Sequence, residues 1–360
     1  MYSMIVNKYG SPDNLEYQET TSIDIKSNLI RLDVKAAGVN FADILTIKGR
    51  YQERPRPPFS PGLEVSGKII EIGNKVFNHK VGDHVMSIMK YGGYQSEVVV
   101  PEENTYKIPN NMSFNTAAGF PVTYGTAYSA LVSKAKIKKN ETCLILGATG
   151  GVGLAAVEIA NALQAKVIAC GGDDIKLDAC RDKGAEHLIN YNKNILRTEL
   201  SKLKINKIDV VIDMIGGQYS LDSIKSLNWN GRIVIVGFAS GNIPDIPANR
   251  LLLQNATADG LYWGELAYRE PKKIGNNFNQ LDILFKKGLI NPKIHKSFKL
   301  RDAPLALSYL LERKKMGIDV TRNIITETNC LEKWVEYFDK HKKKDDLADS
   351  FLQALWYIKQ

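Results

Sequence analysis

Apolar and polar positions follow two rhythms along the chain. Up to about residue 124 the apolar positions alternate or cluster in short bursts, as in "LIRLDVKAAGVN", "VSGKIIEIG" and "YQSEVVV". Gly, Pro and Asn separate them, which predicts short strands and turns. "RPRPPFSPG", residues 54–62, reads as a loop, because its prolines remove donors that a sheet needs. From about residue 125 the bursts become fully apolar, as in "KVIAC", "DVVIDMIG" and "RIVIVGF", and alternate with helical segments. That rhythm predicts a parallel, doubly wound α/β sheet. Near residue 263 the pattern turns mixed again. The expected organisation is residues 1–124 as the first part of a β-rich domain, 125–262 as a dinucleotide-binding domain, 263–327 as a return to the first domain, and 328–360 as a helical tail.

The stretch "LILGATGGVGLAAVEIA" carries the most chemistry. Thr142 to Leu146 is an apolar run without alternation, suited to a strand buried on both faces. A glycine turn follows, and then a helical pattern with Val152, Ala155, Ala156, Ile159 and Leu163 on one face. A strand, a tight turn and a helix N-terminus make an anion site, because unpaired amides and the helix dipole converge there. In the G-x-G-x-x-G frame the chain supplies Ala148, Thr149, Gly150, Gly151, Val152 and Gly153. A tight turn that merely packs closely is the competing reading. No G-x-x-x-x-G-K-[ST] motif accompanies it, which argues against a nucleoside triphosphate site. Asn140 precedes the strand and tolerates a left-handed turn. Gln164 stands where a C-terminal Gly is expected, and a left-handed backbone there costs about 1 kcal/mol.

Composition narrows the class. A chain of 360 residues accommodates two domains. With 44% hydrophobic and 24% charged residues it matches a soluble globular protein, and no apolar run approaches the ~20 residues of a membrane span. The start, "MYSMIVNKYG", shows neither an apolar signal core nor an Arg-rich amphipathic pattern, so a cytoplasmic location is expected. Cys143, Cys170, Cys180 and Cys330 lack paired or metal-like spacing and read as reduced thiols. The net charge of +9 comes from scattered lysines and is not read as a nucleic-acid footprint, although a basic face helps attract an anionic cofactor.

"AAGVNFADILTIKGRY", "PGLEVSGKIIEIG", "VGDHV", "GATGGVGLAAVEIA" and "LLLQNATADGLYWG" occur in this order. Together they resemble the medium-chain dehydrogenase/reductase superfamily, and within it the zinc-independent NADPH:quinone oxidoreductase branch that includes ζ-crystallin. The resemblance covers about residues 1–327. It implies a GroES-like catalytic domain split around a Rossmann domain, and a homodimer, for which the exposed edge of the second sheet offers a surface. Where zinc-dependent relatives carry a ligand Cys this chain has Asn40, and where they carry a ligand His it has Leu63. Zinc prefers thiolate or imidazole, so no metal is expected.

Cofactor choice turns on the end of the second strand. A count from the glycine turn reaches Asp173, which would select NAD. The strand is expected to end at Cys170, however, and Asp173 and Asp174 serve equally well as helix-capping acids. The resemblance places Gly172 and Lys176 beside a 2′-phosphate with Tyr191 stacked nearby, which favours NADPH. Lys176 taken alone reads as a solvated helix lysine. At the nicotinamide end the resemblance implies Asn40, Tyr51, Thr126, the backbone near Phe238, and Asn323. Asn40 orients ribose or substrate. Tyr51 is the candidate general acid or else a lid aromatic. Glu64 reads equally as a structural acid. The implied reaction is hydride transfer to a quinone or an α,β-unsaturated carbonyl, a small-molecule partner. The alternatives are an enoyl-thioester reductase and a non-catalytic NADPH-binding protein.

The tail, "FDKHKKKDDLADSFLQALWYIKQ", departs from this pattern. Leu347, Phe351, Leu355 and Ile358 form a helical stripe that reads as a docking helix. It also resembles the last helix of viral RuvC-like Holliday-junction resolvases, in which acids matching Asp346 and Asp349 bind Mg²⁺. Such a metal pair needs further carboxylates on a neighbouring sheet, and the strands that carry them there have no match here. The purified chain is therefore expected to leave branched DNA intact in the presence of Mg²⁺, and a gel-based cleavage assay checks this.

Overall fold

The computed structural model describes residues 1–205 and 207–312. Asn323, Cys330 and the tail with Asp346 and Asp349 lie outside the described residues. The described chain forms two compact units, one from Met1–Thr126 together with the segment from Trp263 onward, the other from Ala127–Tyr262.

The first unit is built on antiparallel strands. β1 (Tyr2–Ile5) pairs with β2 (Glu16–Glu19). A five-stranded sheet contains β3 (Leu29–Ala37), β4 (Glu64–Ile72), β5 (His84–Ile88), β6 (Glu97–Pro101) and β7 (Thr105–Lys107), in the order β6-β3-β4-β5-β7. Alternating positions such as Ile30, Leu32, Val98 and Val100 turn inward to one core cluster. Three short helices accompany the strands: α1 (Phe41–Ile47) between β3 and β4, and α2 (Phe114–Ala118) and α3 (Pro121–Tyr128) after β7. α1 buries Ile44 and Ile47 in a second cluster with Met4, Val6, Phe59 and Tyr94.

The second unit holds β8 (Thr142–Leu146), β9 (Lys166–Gly171), β10 (His187–Asn190), β11 (Ile208–Asp213), β12 (Leu227–Ile235) and β13 (Thr257–Gly260) in one six-stranded sheet. Its order is β10-β9-β8-β11-β12-β13, and every pair is parallel. Counted from β8 this is the Rossmann order, and strand order reverses between β8 and β11. Cys143, Leu144, Ile145 and Leu146 are all fully buried, as a central parallel strand requires. The crossovers contain α4 (Gly151–Ala162), α5 (Asp174–Asp182), α6 (Leu196–Lys202), α7 (Gly217–Lys225) and α8 (Ala248–Gln254). The chain then re-enters the first unit with α9 (Trp263–Arg269) and α10 (Pro271–Lys286). Ile274, Phe278 and Leu281 form the buried stripe of α10, and the Phe278 ring lies 4.4 Å from that of Tyr106.

Several local expectations change in detail. β9 runs through Gly171, one residue past Cys170. α4 buries more than the expected stripe: Val157, Glu158 and Ala160 are buried too, while Val152 and Leu163 are half-buried. Small residues let neighbouring elements close around α4, and Lys183 pairs with the buried Glu158 carboxylate. Asn140 and Gln164 are both left-handed, at φ 65° and 62°. Gln164 occupies the C′ position of a Schellman motif, with Ala165 N–H donating to Ala160 O (3.0 Å) and Gln164 N–H to Asn161 O (2.8 Å).

The turn after β8 is held by contact between backbones. Gly147 takes the left-handed φ of 76°. A Cβ on Gly153 would lie 2.1 Å from the Gly147 carbonyl oxygen and 2.7 Å from Ala148 Cα. At Gly150 a Cβ would meet the same carbonyl at 3.4 Å, an ordinary contact. Gly153→Ala is therefore expected to cost about 1–3 kcal/mol and Gly150→Ala much less, a contrast that urea unfolding midpoints check.

Candidate functional site

Two groups of residues carry the chemistry, one in each unit. In the first unit Asn40 is the N-cap of α1. Its backbone N–H donates to Asp43 Oδ2 (2.7 Å), so the third helical residue reaches back to the cap, as in one arm of a capping box. Tyr94 OH donates to the same Oδ2 (2.9 Å). The Asn40 side chain turns the other way, with Nδ2 donating to Glu64 Oε1 (2.8 Å). Glu64 Oε2 accepts from the backbone N–H of Val122 in the first turn of α3 (2.8 Å). Thr126 is buried one helical turn after Val122, on the same face of α3.

Both carboxyl groups are fully buried. Burial raises Asp43 to about 7, against the opposing pull of the Asn40 amide, the Tyr94 phenol and the Gly62 backbone. Burial likewise raises Glu64 to about 8; Val122 and Asn40 pull it down, and the neighbouring Asp43 charge adds to the rise. Tyr94 is pushed well above its ordinary value, first by burial and then by Asp43. The close fit explains Gly38, where a Cβ would sit 2.2 Å from Glu64 Oε1. Tyr51 is half-buried in the segment after α1, but the phenol that reaches Asp43 is Tyr94.

In the second unit the glycine turn lies where strand order reverses. Ala148, taken as the first fingerprint position, is fully buried and its N–H donates to Cys170 O (2.9 Å), which holds the turn to β9. Its amide is thus engaged within the sheet. Gly150 N–H also turns inward, to Gly147 O (3.1 Å). The amides of Gly151, Val152 and Gly153 form the first turn of α4 and have no i−4 acceptor within it. Across the reversal, the buried Asp213 ends β11. Its Oδ1 accepts from Ile215 N–H (2.8 Å) and Gly216 N–H (2.9 Å), and its Oδ2 from Ser220 Oγ. Burial raises the Asp213 carboxyl despite these bonds. Phe238 is partly exposed beside Gly216, where a Cβ would come within 2.9 Å of its ring.

The end of β9 gathers the residues expected beside a 2′-phosphate. Tyr191 N–H donates to Gly171 O (3.1 Å), and the Tyr191 ring packs 4.5 Å from that of Tyr219. Gly172 O accepts from Asn192 Nδ2 (3.0 Å), and a Cβ on Gly172 would meet that nitrogen at 2.6 Å. Asp173 is the N-cap of α5, accepting from Lys176 N–H (3.0 Å), with the Lys176 ammonium 4.0 Å from its other oxygen. Asp174 accepts from Asn190 Nδ2 (2.6 Å) and pairs with Lys193, which holds its carboxyl below the ordinary range.

Gly147, Asp43, Tyr94, Asp213 and Asn192 were not singled out in the sequence. Two of them left a signal there. Asn40-x-x-Asp43 has capping-box spacing, and Gly147 directly follows the apolar strand. Among the described residues no group of three His, Cys, Asp or Glu is placed to hold a metal ion, and no helix is long and apolar enough to cross a membrane.

Residues 26–110 match the alcohol dehydrogenase GroES-like domain, and residues 151–277 match the zinc-binding dehydrogenase family. The chain is 39% identical over 305 residues to quinone oxidoreductase-like protein 2 of Mus musculus, a match covering 84% of this chain and 87% of that protein. The structure of Escherichia coli quinone oxidoreductase complexed with NADPH superposes with a TM-score of 0.79 at 28% identity, over 87% of this chain and 97% of that one. The CurK enoyl reductase gives 0.78 at 27% identity, over 87% and 96%. The chain belongs to the medium-chain dehydrogenase/reductase family of oxidoreductases, in its quinone oxidoreductase-like branch. Its two units are accordingly a GroES-like domain and a Rossmann domain.

The raised carboxyls have a consequence for stability. A buried acid with a raised value binds its proton more tightly when folded. Its stabilising contribution is complete below the unfolded value and is lost as pH rises to the folded one. For Asp43 that window runs from 3.8 to about 7. Asp43→Asn is therefore expected to gain in melting temperature relative to the parent as pH rises across the window, which differential scanning calorimetry at several pH values checks.

Proposed function

We propose that the protein is an NADPH-dependent reductase that passes hydride to a quinone or an α,β-unsaturated carbonyl without zinc. The observation that carries this reading is the turn from Gly147 to Gly153 at the reversal of strand order, the place where open α/β sheets bind dinucleotides. A diphosphate fits the first-turn amides of Gly151, Val152 and Gly153, and Gly150 leaves the approach clear of side chains. The preference for a 2′-phosphate rests on the acids near β9. Asp173 caps α5 and Asp174 is bound by Asn190 and Lys193, so both are engaged away from a ribose. Lys176, with Gly172 and Tyr191 close by, is the cation for the phosphate.

Bound NADPH supplies hydride from its nicotinamide ring. The chain's own task is to hold the acceptor and stabilise the negative charge that develops on its carbonyl oxygen. Asn40 is the amide assigned to that oxygen, and Tyr51 is the candidate proton donor. Thr126 is assigned to the nicotinamide carboxamide, and the backbone near Phe238 to the nicotinamide end. The donor chemistry supports the absence of zinc: Leu63 offers no ligand, and the Asn40 amide nitrogen is bound to Glu64. A homodimer would use β13, an edge strand with unpaired backbone groups. The likeness to an enoyl reductase keeps enoyl thioesters among the acceptors to be tried.

The test is NADPH oxidation by the purified protein with a panel of quinones, enones and enoyl-CoA esters. Turnover with quinones or enones above enoyl-CoA is the expected result, and no turnover with any acceptor would refute the reading. Lys176→Ala is expected to raise KM for NADPH about tenfold while shifting that for NADH less than about twofold.

A further inference from the structure

Glu64 is buried, touches neither edge of the sheet, and is held by polar contacts on both oxygens. Oε2 accepts the Val122 N–H, an orphan amide in the first turn of α3 that needs an acceptor. Oε1 faces the Asn40 side-chain amide. Gly38 has no side chain, which is what allows Oε1 to reach that place. Among the described residues, the remaining titratable groups facing it are Asp43 on α1 and the Tyr94 phenol, and no cation is among them. β5 contributes Ile88 opposite it.

We propose that Glu64 is a positioning residue: by carrying or lacking a proton, it sets which end of the Asn40 amide turns toward it and which end is offered to substrate. Donors and acceptors decide the amide's orientation. Ionised Glu64 has only acceptors, so it takes Asn40 Nδ2–H and turns Oδ1 outward. A protonated Glu64 keeps Oε2 for the Val122 N–H and carries its proton on Oε1. An Oε1–H facing Nδ2 would set donor against donor, so the amide reverses, Oδ1 accepts the proton, and Nδ2 turns outward. The second arrangement offers both Nδ2 hydrogens to a carbonyl oxygen as it gains charge and takes the competing Oδ1 acceptor away from it, and it also removes an anion from beside that oxygen. The active form is then the protonated one, and the value of about 8 makes it the major form near neutrality.

This inference rests on the reductase reading, and the experiment separates the two. The glutamine variant reports directly, because Gln must give Oε1 to the Val122 N–H and so presents Nε2 to Asn40. Glu64→Gln thus fixes Asn40 with Nδ2 outward at every pH. With NADPH and a water-soluble 1,4-benzoquinone, kcat/KM of the parent is expected to fall about tenfold or more as pH rises from about 7 to 10. Its midpoint should lie near 8. E64Q should stay within about threefold of the parent's neutral value throughout, with unchanged affinity for NADPH. A folded E64Q that follows the parent's pH profile, or that is inactive at every pH, overturns the inference. If the parent shows no turnover at all, the reductase reading fails, and the Asn40 side-chain ¹⁵N resonances of the parent decide the inference alone, also where E64Q does not fold. Their titration near 8 supports it, and their indifference to pH contradicts it.

Discussion

The molecule depends on one close approach of backbone to backbone. The first turn of α4 lies so near the end of β8 that a single Cβ at Gly153 would strike the Gly147 carbonyl. Because that space is empty, the first turn of α4 can close against the backbone just after β8. The neighbouring turn is fitted to this one. Ile215 fills the place where a Cβ on Gly147 would be, 2.8 Å from its Cδ1. Asp213 gathers the amides of Ile215 and Gly216 to hold that turn in shape. The two turns flank the reversal of strand order, so the packing that stabilises the sheet also shapes the place proposed for the dinucleotide phosphates.

The first unit solves a different problem. It buries two carboxyl groups, which is costly unless each is hydrogen-bonded or protonated. Asp43 and Glu64 have both remedies: donors from Asn40, Tyr94 and Val122, and values raised toward or above neutrality. An apolar pair of similar size would pack at lower cost. What the acids add is a definite orientation for Asn40, which caps α1 and carries the amide assigned to substrate.

Much of this architecture was legible in the sequence. Thr142–Leu146 stood out because a central parallel strand is apolar on both faces, and Asn140 and Gln164 were readable as left-handed positions. The glycine frame did not reveal the role of Gly147, the residue just before it. The sequence showed only that Gly147 directly follows the apolar strand; the fit of Ile215 against it comes from a residue distant in sequence. Lys176 was marked by the resemblance, whereas its own neighbours in sequence read as a helix lysine; the Asp173 cap was readable locally, and the hold of Asn190 and Lys193 on Asp174 is tertiary. Asp43 left only its spacing from Asn40, and its partner Tyr94 was hidden because their contact is tertiary. Nothing local marks a phenol at the end of one loop as the partner of an acid on α1.

The central claim is that the amides of Gly151, Val152 and Gly153 hold the diphosphate of a nicotinamide dinucleotide. A crystal structure of the protein with NADPH tests it most directly. The account predicts diphosphate oxygens within about 2.7–3.2 Å of those amides, with the 2′-phosphate beside Lys176. A dinucleotide whose diphosphate lies away from this turn would contradict it.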